Sequence, residues 1–427
     1  MDLPQTMKPD LVVHSANQLL TLASPDGPRR GQELRRLDII EDGAVAIQGD
    51  RIVLVGDTKQ VLAEAGEDAS VIDASGKVVM PGFVDPHTHA VFAGDRASEF
   101  EMRLQGASYM DILAAGGGIM NTVRATRAAS LDEIVAQSRE RLDRMLAYGT
   151  TTVEVKTGYG LDTKNELKML EAIRLLDEDH PIDLVPTFLG AHAIPAEYKG
   201  RADDYVNLVV EEMMPTLEAK GYLDHDPTLF CDVFCEEGAF CVEQSRRVLA
   251  KAKELGMGLK IHSDEFKALG GTALAVELGA TSADHLACTP DEEIELLRSS
   301  DTIGVLLPGT PFGLAEDHYS PARKMIDMGV AVALATDLNP GTCYCESMPF
   351  IMALACRQMG MTPAETIVAS TINAAYAVGL GHEVGSLEVG KKADLLILDS
   401  PDYRHLAYRF GANLVQTVVK AGQIVSQ

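Results

Sequence analysis

The sequence predicts an α/β protein: a (β/α)8 TIM-like barrel beside a small β-sandwich built from both chain ends. Three observations predict it. Eight apolar, β-branched runs alternate with helical patterns between about residues 80 and 384. The segments 1–79 and 385–427 are rich in short strands and turns, so they form the composite sandwich domain. Metal-capable side chains recur where the eight runs end, and strand ends are where a barrel carries its chemistry.

The elements follow in order. VAIQGDRIVLVGD holds two β-branched stretches around Gly49-Asp50, a hairpin signature. The eight runs are GFVDPHTH (82–89), TTVEVKT (151–157), DLVPTFLGAH (183–192), LFCDVFCEE (229–237), GLKIHSDE (258–265), TSADHL (281–286), TIGVLLPG (302–309) and VAVALATD (330–337). They lack strict alternation, as strands buried on both faces do. Helix starts fall between them: Ser130-x-x-Glu133, Thr163-x-x-Glu166, Thr289-x-x-Glu292 and Thr362-x-x-Glu365 have capping-box spacing. Pro290 and Pro363 are placed at first helical positions, where a missing N–H is harmless. ADLLILD (393–399) and LVQTVVKAGQIV (414–425), with a turn at Ala421-Gly422, return the chain to β-structure. Eight β/α units in about 300 residues are what a closed barrel needs.

Composition narrows the functions. The chain has 427 residues, 46% apolar, with 37 Lys and Arg against 63 Asp and Glu, a formal net charge of −26. Such a surface repels phosphate backbones and anionic lipids, so nucleic acid and membrane are poor partners. A small anion stays possible, because one local Arg outweighs a distant field. No stretch reaches the roughly 18 apolar residues of a membrane helix. The start, MDLPQTMKPD, has no basic or apolar region of a signal peptide. Seven cysteines without zinc-ribbon spacing fit reduced thiols in a cytoplasm. Two thiolates at Cys343 and Cys345 do not complete a metal site.

The run ends carry the chemistry. The first ends in His87-Thr88-His89, where period two puts both imidazoles on one face. The fifth brings His262 and then Glu265, the sixth His285, the eighth Asp337. His87, His89, His262 and Asp337 form a ligand set for a borderline divalent cation. Other histidines read as structural or solvated: His14, His180, His225, His318, His382 and His405. His192 ends the third run and is an exception. Gly116-Gly117-Gly118 matches no nucleotide fingerprint and reads as a lid or packing turn in the excursion over 90–130.

PGFVDPHTH, with a β-rich module before it and VGSLEVGKKADLLILD after it, resembles the amidohydrolase superfamily over nearly the whole chain. The resemblance implies that both β-modules join beside the barrel. Two-metal members carry a carboxylated lysine on strand 4. Here that run has Cys231, Asp232, Cys235 and Glu236, and Lys156 lies on the second run, so one metal, zinc or iron, is expected. HAVFAGDR (89–96), VEVKTGYGL (153–161), FLGAHAIP (188–195), HSDEF (262–266), ADHL (283–286) and ATDLNPGT (335–342) are similar to the superfamily's ring-opening hydrolases of histidine degradation.

That resemblance implies a cytoplasmic homodimer acting on 4-imidazolone-5-propanoate and releasing N-formimidoyl-L-glutamate. A divalent metal lowers the pKa of water towards about 7 and polarises a carbonyl. Glu265, His285 and Asp337 are the expected catalytic residues, moving protons or stabilising the oxyanion. Arg96 is expected to clamp the propanoate, since its fork matches a carboxylate. Tyr159, His192, Glu265, Asn339, Gly341 and Thr342 complete the expected substrate contacts. The nearest rival is an aminohydrolase of a nucleobase-like ring with the same metal set, for which a carboxylate clamp has no use. A non-catalytic barrel is the remaining alternative, and it would have no need of four intact ligands.

Overall fold

A computed structural model of the chain describes residues 8–24, 27–66, 68–107, 111, 116–224 and 229–426. His225 and part of the 90–130 excursion lie outside the described residues. The central sheet has eight strands: β1 (Phe83–Asp85), β2 (Thr150–Lys156), β3 (Asp183–Ala191), β4 (Phe230–Cys235), β5 (Gly258–Ser263), β6 (Ser282–His285), β7 (Ile303–Leu306) and β8 (Val332–Leu334). They pair in chain order and in parallel, each falling on one of the eight apolar runs, with β2 beginning one residue before its run.

Closure happens at the mouth. Beyond β1 and β8 the chain forms a parallel bridge between Thr88 and Leu338. His89 N donates to Leu338 O at 2.8 Å and Asp337 N to His87 O at 3.1 Å. The bonds that shut the barrel therefore set His87 and His89 beside Asp337.

The outer faces of the strands pack on helices through one apolar core, to which Val153, Val155, Phe188, Val233, Ile261 and Ala283 belong. Their alternates include Glu154, Lys156, Asp232, Lys260 and Asp284, all at 0% exposure. Period two sends these to the lumen. A barrel core is ordinarily apolar and branched; this one is charged beneath its mouth.

The chain ends build two further sheets. Arg51–Asp57, Gly43–Gln48, Leu11–Ala16 and Ser70–Asp73 form one. The other runs Gln423–Ser426, Val415–Lys420, Leu395–Leu398, Val78–Pro81, Gln18–Leu20, Ile39–Ile40. Leu395–Leu398 pairs antiparallel with Val78–Pro81, which joins the two chain ends. Alternation gives these strands two jobs. Val79, Leu395 and Ile397 enter the core between the two sheets. Val78, Met80, Leu396 and Leu398 enter the barrel's core instead. Both expected hairpin turns form, and they touch: a Cβ at Gly422 (φ +77°) would stand 2.1 Å from Gly49 O. Glycine is required there both for the backbone and for the approach.

Two of the four expected capping boxes form, at Ser130 and at Thr362 with Pro363 in the first turn. The other two are corrected. Asp162 caps the helix Thr163–Asp179, because its carboxylate reaches Asn165 N at 2.8 Å. Glu166 is drawn off to the amides of Gly158, Gly160 and Leu161. Pro290 is itself the N-cap of Asp291–Arg298, extended at ψ 159°, so it does not begin the helix. The Thr289 hydroxyl donates to Asp264 instead of capping.

Candidate metal centre

His87, Thr88 and His89 continue β1 in extended fashion. The Thr88 hydroxyl bonds back to Glu154 O at 2.6 Å, which turns that side chain away and leaves both imidazoles on the lumen side. His262 comes from β5 and His285 ends β6. Asp337 and His285 hold φ of +53° and +79°. Non-glycine residues in that region cost of order 1–3 kcal/mol each and cluster at functional sites.

The donors converge. Ligand atoms of His87, His89 and His262 lie within 4.8 Å of one another, as do those of His87, His285 and Asp337. His89 Nε2 and His262 Nε2 face each other at 3.4 Å. Asp337 Oδ1 is 3.6 Å from His87 Nε2 and 3.7 Å from His89 Nε2. A tetrahedral shell with ligand bonds near 2.05 Å has edges of about 3.3 Å. His87 Nε2 is buried and has no hydrogen-bond partner among the described residues. Burial holds the imidazolium forms of His87, His89 and His285 far below the usual histidine range, and neighbouring cationic groups push the same way. Neutral rings keep lone pairs for a cation. The donor set therefore fits a divalent transition metal.

Carboxylates outside the set aim two of the rings. His87 Nδ1 meets Asp284 Oδ2 at 2.6 Å, and His262 Nδ1 lies 2.9 Å from Asp232 Oδ2. The His87 Nδ1–H then points outward and its Nε2 inward, the usual arrangement around metal-binding histidines, while His262 and Asp232 are in ion-pair contact without an aligned hydrogen bond. Asp337 Oδ2 accepts the Thr310 hydroxyl. Burial pushes the Asp337 carboxyl up to about 6, against the Thr310 bond that lowers it.

The remaining candidates surround this cluster. Glu265 Oε2 is 3.8 Å from His285 Nε2. Burial raises the Glu265 carboxyl well above its ordinary range, and Asp337, Glu236 and Glu316 add to the effect. His192 stacks on His89 with ring centres 4.9 Å apart. Its Nδ1–H donates to Gly158 O at 3.0 Å, and burial drives its pKa to about 3, so Nε2 is an acceptor. Tyr159 is buried beside both rings, 5.8 Å from His89 and 5.3 Å from His192. Its hydroxyl has no hydrogen bond among the described residues.

Arg96 precedes the helix Ala97–Leu104, and its Nε donates to Glu99 Oε2 at 2.8 Å. Glu99 also accepts Gly118 N and Asn121 Nδ2, each at 3.0 Å, so the glycine run packs against Arg96's partner. The Nη atoms of Arg96 make no hydrogen bond within the described residues. They lie on Gly341, where a Cβ would stand 2.2 Å from Nη1. Arg96, Phe100, Arg103, Phe312, Thr342 and Tyr344 line a cavity of about 540 Å³.

The expected contacts at 339–342 read differently once the loop is seen. Asn339 Nδ2 donates to Asp337 O and Thr342 Oγ1, and Oδ1 accepts the amides of Gly341 and Thr342. Asn339 is thus spent on shaping the loop, and the two amides are spent with it. Gly341 matters through the side chain it lacks. Sequence reasoning missed Asp232, Asp284, Thr310 and Glu99. The available signal was a charged residue inside a buried run, or a carboxylate one helical turn from an arginine.

The model of the Amidohydrolase family matches residues 78–425. The chain is 55% identical over 418 residues to an imidazolonepropionase of Herpetosiphon aurantiacus, covering 96% of this chain and 97% of that one. It is 53% identical over 423 residues to an imidazolonepropionase of Chloroflexus aggregans, covering 97% and 98%. Among solved structures it is similar to a zinc-bound adenosine deaminase from Xanthomonas campestris, with TM-score 0.71, 19% identity, and 99% and 94% of the chains covered. Guanine deaminase from E. coli gives TM-score 0.72 at 17% identity, covering 97% and 98%. At such identities the deaminases share the fold alone.

Proposed function

The chain belongs to the amidohydrolase family and within it to the imidazolonepropionases, and from that premise we propose the reaction, the metal and the residues that serve them. The enzyme hydrolyses 4-imidazolone-5-propanoate to N-formimidoyl-L-glutamate. One divalent cation, zinc or iron, is held by His87, His89, His262 and Asp337. The observation that carries this reading is the convergence of those histidine nitrogens within 4.8 Å, with Arg96 lying over the loop that Asp337 begins. The nucleobase rival is not favoured: relatives at about half identity over the full length are ring-opening enzymes. The seven cysteines are all free, which supports a reducing, cytoplasmic setting.

When bound, the cation acidifies water and polarises the ring carbonyl. The chain does the rest. Arg96 offers its Nη edge to the propanoate. Tyr159 OH and His192 Nε2 hold the ring, one able to donate and the other to accept. Thr342 lines the approach beside Arg96. Asp337, whose carboxyl lies near 6, takes the proton of the attacking water. His285 stabilises the oxyanion that develops on the carbonyl oxygen. Glu265, whose carboxyl burial raises well above its ordinary range, delivers a proton to the ring nitrogen as the C–N bond breaks. The carbonyl carbon becomes the new carboxylate, and the released nitrogen stays in the formimidoyl group.

Arg96→Ala tests the substrate. A hydrogen bond to a charged group contributes roughly 1.5–3 kcal/mol, so kcat/KM should fall about 10- to 150-fold. Arg96→Lys should recover only part, since it keeps the charge and loses the fork. An analogue without the carboxylate should bind wild type and Arg96→Ala equally. Unchanged turnover of the propanoate substrate by Arg96→Ala would place the clamp elsewhere. Gly341→Ala offers an independent check. Its Cβ must displace the guanidinium, so KM should rise towards that of Arg96→Ala with metal content unaltered; a wild-type KM would sever Gly341 from substrate binding.

A further inference from the structure

We propose that Lys156 is a positioning residue for the metal centre, its ammonium tying together the three carboxylates that fix the histidine ligands. The inference rests on the ligand set proposed above. Lys156 is fully buried at the end of β2. Its Nζ lies 2.7 Å from Glu154 Oε1, 2.8 Å from Asp232 Oδ2 and 3.8 Å from Asp284 Oδ2. Each carboxylate reaches one part of the ligand set. Asp232 contacts Nδ1 of His262 and Asp284 that of His87. Glu154 Oε2 accepts the amide of Thr88, at 3.2 Å, between His87 and His89. One ammonium thereby connects β2, β4 and β6 to ligands on two further strands.

The charge balance gives the ammonium its effect. Three carboxylates converge on one cation in a lumen closed to solvent. Buried charges must be paired, and removing one partner from such a group is far more damaging than never having the group. Without Lys156 the carboxylates repel across a few ångströms and their side chains turn apart. The imidazoles then lose the anchors that aim Nε2 at a common point. Lys260, the other lumen lysine, cannot substitute. Its Nζ is engaged by Pro86 O at 3.2 Å and Ser282 Oγ at 3.0 Å. Lys156 touches none of the four proposed ligands, and its contacts reach them through the carboxylates.

The test measures zinc affinity of the metal-free full-length protein by competition with a chromophoric chelator, alongside its thermal unfolding. Loss of an outer contact at a metal site typically costs 10- to 100-fold in affinity. Lys156→Met should weaken zinc binding by about that factor. The charge-balanced pair Glu154→Gln/Lys156→Met, which removes one charge of each sign, should weaken it similarly and guards against a single variant that does not fold. A folded variant of either kind that binds zinc as tightly as wild type overturns the proposal, even if it melts earlier. Failure of both to fold also overturns it, making Lys156 a folding determinant. His262→Ala separates the premise: if that protein keeps wild-type zinc affinity, the ligand set is wrong, whatever Lys156 does.

Discussion

The His262→Ala protein should emerge from purification without metal and without turnover. The ring supplies one of four proposed ligands, and its Nε2 stands 3.4 Å from that of His89, an edge of the donor cluster. Removing it leaves Asp232 facing a void while its contact with Lys156 stays at 2.8 Å, so the charged lumen keeps its main pairing. The fold should therefore survive where the site does not. Thermal unfolding gives a reading independent of catalysis. A ligand bound only by the native state stabilises it by RT ln(1 + [L]/Kd), about 4.1 kcal/mol at a thousandfold excess over Kd. Added zinc should raise the Tm of metal-free wild type and leave that of His262→Ala nearly unmoved. Full activity in a metal-depleted His262→Ala protein would sink the assignment.

Much of this was legible in the sequence for a physical reason. Strands buried on both faces are written as β-branched runs, and all eight were recognisable on that ground. His87-x-His89 was legible because period two is a property of the strand itself. What escaped detection depends on partners distant in sequence. Lys156, Asp232 and Asp284 meet only because β2, β4 and β6 surround one lumen, and nothing local marks their pairing. The capping errors arose from competition. Thr163 and Glu166 have suitable spacing, yet Asp162, one residue earlier, takes the N-cap and the Gly158–Leu161 turn offers Glu166 three amides. The loop bonds of Asn339 were hidden for a related reason: its amide side chain bonds Asp337 O, Thr342 and the amides of Gly341 and Thr342 only once the loop has closed on itself.

Glu265→Gln should keep the metal and lose most turnover, because the proposed duty of Glu265 is to move a proton. Its Oε2 lies 3.8 Å from His285 Nε2, and it is not among the residues whose ligand atoms converge. Glutamine preserves the volume and a hydrogen-bonding end but cannot release a proton. Acid–base groups of this kind contribute roughly 10²–10⁴-fold, and kcat should fall within that span. The pH profile supplies the sign. Burial, reinforced by Asp337, Glu236 and Glu316, raises the carboxyl well above its ordinary range, so the acid form persists towards neutral pH. A group that acts as an acid loses activity as pH rises through its pKa. Wild type should therefore show an alkaline limb that is missing from the residual activity of Glu265→Gln. Metal content decides between the two roles open to this carboxylate. A variant that retains its cation and loses turnover is missing a proton carrier. One that loses both would make Glu265 a fifth ligand, and the leaving nitrogen would then have to be protonated from His285.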